Sequence, residues 1–222
     1  MEEEVVYYSK DFDWNDLHEE VESAQERRYL LKEFPELGRS NQEFTALEVG
    51  CGAGSSAIPI LRFDVVCYSL LLKDVFCSRA TTTARVYACD LSEAAVSLTN
   101  KMGDKALNEQ ATSRLRTFVC DPSCEALPAW LACDACRASD FGIKSFLIFA
   151  LSALADLDQM SNLLKECCSV LRPGGMLLFR DYGMLFLREV ELEYCCIKLN
   201  HKTKVPMKRV WVHAKFMKPD HT

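Results

Sequence analysis

At 222 residues, 49% of them apolar and 26% charged, the chain has the length of one domain and enough apolar material for a real core. Its 26 Lys and Arg against 32 Asp and Glu give a net charge of −6, which argues against a globally basic nucleic-acid binder and leaves DNA out of the expected partners. No apolar run reaches the length of a membrane span, and the acidic start, Met1-Glu-Glu-Glu-Val, resembles neither a secretory signal nor an Arg-rich transit peptide, so the expected compartment is the cytoplasm and no membrane partner is expected.

Residues 1–25 carry Tyr7, Tyr8, Phe12 and Trp14, then an acidic helical stretch from Leu17. Arg27-Arg-Tyr-Leu-Leu-Lys-Glu-Phe-Pro35 reads as a short amphipathic helix stopped before Pro35. A polar connector over 38–43 leads into Phe44-Thr-Ala-Leu-Glu-Val-Gly-Cys-Gly-Ala-Gly54, a strand followed by a glycine-rich turn, with a helix expected over 55–61. Gly50, Gly52 and Gly54 allow a tight turn and let a ligand approach the main chain. Their spacing lacks the third glycine placement of a dinucleotide fingerprint, and no Lys-Ser/Thr follows as in a P-loop. A purely structural turn is the bland alternative.

Residues 63–84 are ambiguous, with Val65–Leu72 able to form strand or helix. Val86-Tyr-Ala-Cys-Asp90 is a strand ending in an acid, and Ser92 caps a helix over 93–102. Arg116–Asp121 is a third strand with an acidic end, and Lys144–Ser152 a fourth, apolar enough to be buried on both faces. A helix over 158–171 ends at Arg172-Pro-Gly-Gly175, and Met176–Asp181 is a fifth strand. Val190–Ile197 and Lys208–Phe216 alternate in polarity, as strands at an antiparallel sheet edge do. Strands alternating with helices imply an α/β fold with a doubly wound, mostly parallel sheet of seven strands.

In such sheets the ligand lies past the carboxyl ends of the strands at the switch point, where Gly50–Gly54, Asp90 and Asp121 would meet. Asp90 is placed to accept hydrogen bonds from ribose hydroxyls, although it lies 36 residues beyond Gly54 against roughly 20 in the usual nucleotide pattern. Asp74 has the shorter spacing and stays a rival. Asp121 could take an adenine amino group or merely cap a loop, and Ile148 could pack on adenine or be plain core. Lys198, Lys202, Lys204, Lys208, Arg209, Lys215 and Lys218 form a local basic stretch without acids, either a polyanion surface or a solvated hairpin face. No metal is expected: Cys133 and Cys136 lack a second ligand pair, and the four histidines are not ligand-spaced.

Leu47-Glu-Val-Gly-Cys-Gly-Ala-Gly, Phe118-Val-Cys-Asp, Leu147-Ile-Phe-Ala-Leu-Ser-Ala, Val170-Leu-Arg-Pro-Gly-Gly, Leu178-Phe-Arg-Asp-Tyr-Gly183 and Arg209-Val-Trp-Val-His-Ala-Lys-Phe resemble the family of methyltransferases that makes 3-methylcytidine in tRNA. The resemblance runs from about residue 27 to 218. It implies a Rossmann-like class I methyltransferase fold over residues 44–218, after an N-terminal extension and helix over 1–43, with 63–84 as an insertion. It implies S-adenosyl-L-methionine as cofactor, tRNA as substrate and an aminoacyl-tRNA synthetase as a partner. Carried over residue by residue, it implies cofactor contacts at Gly50, Asp90, Asp121, Pro122 and Ile148, to which the close approach of a ligand to the glycine turn adds Gly52 and Gly54. It also implies that Arg180, Asp181 and Tyr182 face the cytosine. The aromatic segment that the family places before the Arg-Tyr-Leu region has no counterpart here, and the stretch after Gly183 is short. A catalytically impaired variant that binds cofactor or partner without turnover is therefore the alternative. A methyltransferase acting on a small molecule or protein is a third.

Overall fold

The computed structural model describes residues 26–27, 29–37, 44–62, 84–131, 143–154, 156–182, 195–199 and 206–219, without the side chains of 143–145, 195–199 and 206–210. The expectations for residues 1–25, the polar connector, the insertion, Asp74, Cys133 and Cys136 lie outside them.

Seven strands form one sheet in the order β3-β2-β1-β4-β5-β7-β6. They are β1 (Phe44–Val49), β2 (Ala84–Asp90), β3 (Leu115–Val119), β4 (Ile143–Ile148), β5 (Met176–Tyr182), β6 (Cys195–Leu199) and β7 (Pro206–Met217). β1 pairs in parallel with both β2 and β4, so the strand order reverses between β1 and β4. β7 runs antiparallel to β5 and to β6. The alternating polarity of the last two strands thus marked the antiparallel end of the sheet.

Helix α1 (Leu30–Glu33) leads into a short 3-10 turn at Pro35–Leu37. Residues 57–62 form α2, and α3 (Glu93–Ala106), α4 (Glu109–Thr112) and α5 (Leu157–Val170) follow. Ser92 caps α3 as its sequence suggests, accepting from the Ala95 N–H at 3.1 Å. The helix runs past Met102 to Ala106, with Gly103 buried and packed closely beside the Leu115 side chain of β3. α5 begins at Leu157, because Asp156 accepts from the Gln159 N–H at 2.8 Å and acts as the N-cap.

The period-two alternation of a strand divides the core between the two faces of the sheet. Leu47, Val49, Leu147, Leu177 and Phe179 pack with Met160, Leu163, Cys167 and Val170 of α5 on one face. Ala46, Phe146, Ile148 and Leu178 pack with Leu30, Phe34, Leu37, Ile60 and Leu61 on the other. Burying a side chain such as Phe34 or Leu37 contributes about 1.5–3 kcal/mol. That fixes α1 against the end of the sheet where β5 and β7 meet.

Two strands stop earlier than their apolar runs suggest. β4 ends at Ile148 because Phe149 adopts φ 60° and Leu151–Ala153 turns into a 3-10 helix. β3 ends at Val119, so Asp121 sits in the following turn rather than on the strand.

Candidate active site

The glycine turn is built by β1 and β2 together. Gly50 and Cys51 donate their N–H groups to the Cys89 carbonyl at 2.9 and 3.0 Å. Gly50, Gly52 and Gly54 all have positive φ, at 75°, 54° and 74°, a region that costs a side chain roughly 1–2 kcal/mol. Thr99 of α3 donates its hydroxyl to the Gly52 carbonyl at 2.8 Å.

Asp90, at the tip of β2, closes this turn. Its Oδ2 accepts the Gly52 N–H at 2.9 Å and its Oδ1 accepts the Ser92 N–H at 3.0 Å. Each oxygen keeps a second lone pair. The carboxylate nominated by the sequence is thus adjacent to the glycine turn it was expected to join, although 38 residues separate Asp90 from Gly52.

A cavity of about 200 Å³ opens at the reversal of strand order, lined by Gly50, Gly52, Asp90, Asp121, Pro122 and Ile148. Six of the seven residues nominated for cofactor contact line it together. Gly54 does not. A Cβ there would lie 2.8 Å from Ile58 Cδ1, so this glycine serves the packing of the turn onto α2. Asp121 also does what its loop-cap alternative described, since its Oδ1 accepts from both the N–H and the hydroxyl of Ser123, at 3.0 and 2.6 Å.

Sequence reasoning passed over two residues that shape this cavity. Arg27 reaches across the turn to donate to the Ser56 hydroxyl and the Ile148 carbonyl, at 3.2 and 3.3 Å. Its guanidinium lies 5.2 Å from the centre of the Phe149 ring. Phe149 lines the cavity in the left-handed region that only a structurally enforced non-glycine residue occupies. Only the Arg27 to Pro35 pattern pointed to Arg27, and nothing in the apolar run around Phe149 signalled a break.

Beneath the turn lies Glu48, fully buried, its Oε2 accepting the Ala57 N–H at 3.0 Å. Burial pushes its carboxyl up to about 7, against the opposing pull of the Arg27 charge and the Ser56 and Ala57 hydrogen bonds.

Arg180, Asp181 and Tyr182 lie beside the cavity without lining it. They do not converge, because strand alternation sends Asp181 to the opposite face. Arg180 is buried among Tyr29, Trp211 and Phe149, its guanidinium carbon 4.5, 5.2 and 6.0 Å from the three rings, and it pairs with Glu33 of α1. Asp181 accepts from the Ser152 N–H at 3.0 Å and the Tyr182 N–H at 2.8 Å, and burial raises its carboxyl above the usual range. Tyr182 is 42% exposed and packs on Phe149, with ring centres 4.8 Å apart.

Two cations of the basic stretch have structural partners. Lys215 pairs with Glu36 at 2.6 Å. Lys218 donates to the Cys168 and Leu171 carbonyls at 2.9 and 2.7 Å, closing the C-terminus of α5. The other five lie outside the described side chains. Among the described residues no group of His, Cys, Asp and Glu could hold a metal, and no helix is long and apolar enough to cross a membrane.

A doubly wound sheet with a glycine turn, acid-tipped strands and a cavity at the reversal of strand order has the architecture of a Rossmann-like class I methyltransferase. The methyltransferase domain family matches residues 47–179, more than half of the chain, and the chain belongs to that family. It is similar to the tRNA N(3)-methylcytidine methyltransferase Mettl2 of Drosophila melanogaster, with 28% identity over 174 residues covering 76% of this chain and 45% of that protein. With the tRNA N(3)-cytidine methyltransferase METTL6 of Homo sapiens it shares 32% identity over 166 residues, covering 72% of this chain and 47% of the relative. O-methyltransferase 3 of Dictyostelium discoideum is 25% identical over 250 residues, covering 92% and 51%. The chain thus spans about half the length of the curated relatives it matches. In fold it is similar to the glycopeptide N-methyltransferase MtfA complexed with sinefungin, with a TM-score of 0.52, 15% identity and coverage of 90% of this chain and 74% of that one.

Proposed function

We propose that the chain is an S-adenosyl-L-methionine-dependent methyltransferase acting on tRNA, and that it forms 3-methylcytidine by transfer to cytosine N3. The observation that carries this reading is the Asp90 carboxylate at 2.9 Å from the Gly52 N–H, on the rim of a cavity shared with Asp121 and Ile148. Support for tRNA comes from the names of several relatives.

The donor set suits an adenosyl ligand. The second lone pairs of Asp90 can accept the two ribose hydroxyls, and Asp121 keeps a carboxylate oxygen that takes no bond among the described residues for the adenine amino group. Ile148, Leu91 and Leu163 give the apolar wall a purine needs. The cofactor, when bound, supplies a sulfonium-activated methyl group. Cytosine N3 has its own lone pair and requires no strong base. The residues here then work by holding two reactants in line, which can lower a barrier by about 7–11 kcal/mol. Arg27 and Phe149 wall the cavity on the side of Arg180 and Tyr182.

The test is transfer of a radiolabelled methyl group into unmodified tRNA, with Asp90→Ala as the control. Incorporation no greater than in the control removes the activity. The same reading carries a cytoplasmic setting and a synthetase partner, which co-purification in the presence of tRNA tests.

A second reading, a variant that binds the cofactor without turnover, is favoured by one observation. Arg180 and Asp181 are both engaged by the protein's own groups, Glu33 and the backbone of Ser152 and Tyr182. Calorimetric binding of S-adenosylmethionine without methyl transfer would select it.

A further inference from the structure

We propose that Glu48, buried beneath the glycine turn, sets the electrostatic potential of the cavity so that the cationic cofactor is held in preference to its neutral demethylated product, S-adenosylhomocysteine. This rests on the S-adenosyl-L-methionine reading above and gives it a residue that tells the demethylated cofactor from the intact one.

An acid is out of place at position 48. β1 lies between β2 and β4, all of its residues are buried, and Glu48 is 0% exposed. Its neighbours in register, Ala88 of β2 and Phe146 of β4, are apolar. Interior strands of parallel sheets are built from apolar residues, and a buried carboxylate costs free energy unless it is fully paired. Glu48 is only half paired. Its Oε2 accepts the Ala57 N–H, whereas Oε1 is buried without a hydrogen-bond partner among the described residues. Such atoms are rare and destabilising, and a native structure keeps them for a reason.

The next two residues of the chain, Val49 and Gly50, line the cavity, and so do Arg27 and Asp90, the two charged groups whose fields act on Glu48. Arg27 draws the carboxyl toward its ionised form and Asp90 away from it. Ser56 supports the carboxylate and accepts from Arg27 at 3.2 Å. Cys51, in the turn above, is a thiol pushed well up by burial and by the Asp90 and Glu48 charges, and it stays neutral. Glu48 thus adds a charge to the surroundings of the cavity without touching the ligand. A charge in the interior is screened weakly. Burial brings this carboxyl to about 7, so that its charge comes and goes around neutral pH.

The two ligands differ by one charge. When the methyl group leaves, the electron pair of the S–CH3 bond stays on sulfur and gives a neutral thioether, and the positive charge goes with the methyl group to the acceptor. Ionised Glu48 attracts the sulfonium and has no such hold on the thioether. At a separation of about 10 Å and an effective dielectric of about 20, one unit charge changes affinity on the order of tenfold. As pH rises and Glu48 ionises, the preference for S-adenosylmethionine grows. As pH falls and Glu48 is protonated, it shrinks. By the same linkage the cation favours loss of the Glu48 proton to solvent, and the thioether favours its return.

The test measures, on the full chain by calorimetry, the ratio of the dissociation constants of S-adenosylhomocysteine and S-adenosylmethionine from about pH 6 to about pH 8. In the wild type the ratio should rise on the order of tenfold with pH. In Glu48→Gln, which keeps the shape and cannot ionise, it should stay within about threefold. The two proteins should agree at the acid end, where Glu48 is itself neutral. The amine of each ligand titrates in both proteins and cancels in that comparison. A purely structural Glu48 would move both dissociation constants together, giving equal ratios in the two proteins at every pH. That result overturns the proposal, as does a wild-type ratio that falls with rising pH. Should Glu48→Gln fail to fold, proton counting decides. At about pH 7 the wild type should release a fraction of a proton more on binding S-adenosylmethionine than on binding S-adenosylhomocysteine, and equal release overturns the proposal. Failure of the wild type to bind either ligand would instead overturn the underlying function.

Discussion

The Asp90 carboxylate accepts the backbone N–H of Gly52 at 2.9 Å, and this contact joins two segments 38 residues apart in sequence. The same side chain holds Ser92 at the start of α3. One acid therefore fixes both the glycine turn and a helix N-terminus before any ligand arrives. Hydrogen bonds to a charged acceptor contribute about 1.5–3 kcal/mol each. Asp90→Ala should lower stability in urea by an amount of that order and weaken S-adenosylmethionine binding at least about tenfold. Asp90→Asn keeps one acceptor oxygen and should lie between. Calorimetry giving full affinity for Asp90→Ala would remove this residue from the cofactor site.

The turn itself depends on backbone shape. At Gly50, φ is +75° and a Cβ would meet Ala150 Cβ at 3.1 Å. Gly50→Ala should cost roughly 1–3 kcal/mol in urea unfolding. Adding Ala150→Gly relieves the contact and leaves the dihedral strain, so the double variant should recover only part of the loss. Complete recovery would show that crowding alone dictates glycine at this position.

Glu48 makes stability depend on pH in an unusual direction. Its carboxyl is raised from 4.5 to about 7 in the fold, chiefly by burial. Below the lower value the group is protonated whether folded or unfolded, and its contribution is fully present. Between the two, the unfolded chain binds fewer protons, so stability falls as pH rises through about 7. The loss amounts to roughly 3 kcal/mol once the group is ionised. Glu48→Gln cannot ionise. Its Tm relative to wild type should therefore be higher at pH 8 than at pH 5, and a difference independent of pH would contradict the raised value.

Much of this site was legible because its parts are local signals. Gly50 to Gly54 and the acids at positions 90 and 121 mark strand ends, and a doubly wound sheet brings strand ends together whatever separates them in sequence. What stayed hidden is what depends on tertiary packing. The break at Phe149 falls inside an apolar run that reads as continuous strand, and contacts made in the folded protein, with Arg27, Arg180, Tyr182 and the core cluster of α1 and the sheet, hold its ring in place. Likewise, nothing local in Arg180-Asp-Tyr182 tells that Arg180 meets a glutamate on α1, far away in sequence. Gly54 looked like a ligand contact because a motif does not distinguish room for a ligand from room for Ile58.

Asp181 offers a test of how the two ends of the site are connected. It is buried, and its two carboxylate oxygens accept separate backbone N–H groups, from Ser152 and Tyr182. It thereby anchors the turn that follows Phe149 to the end of β5, on the face away from Arg180. Asp181→Asn replaces one acceptor with an amine facing a donor. It should cost about 1–3 kcal/mol of stability, the penalty of an unsatisfied buried group. The released turn carries Phe149, Ala150 and Ala153, all of which line the cavity. Cofactor affinity should therefore fall in Asp181→Asn although residue 181 itself touches no part of the cavity wall. Loss of stability with unchanged cofactor affinity would confine Asp181 to holding the fold. Loss of methyl transfer alone, with both stability and affinity intact, would place it against the substrate after all.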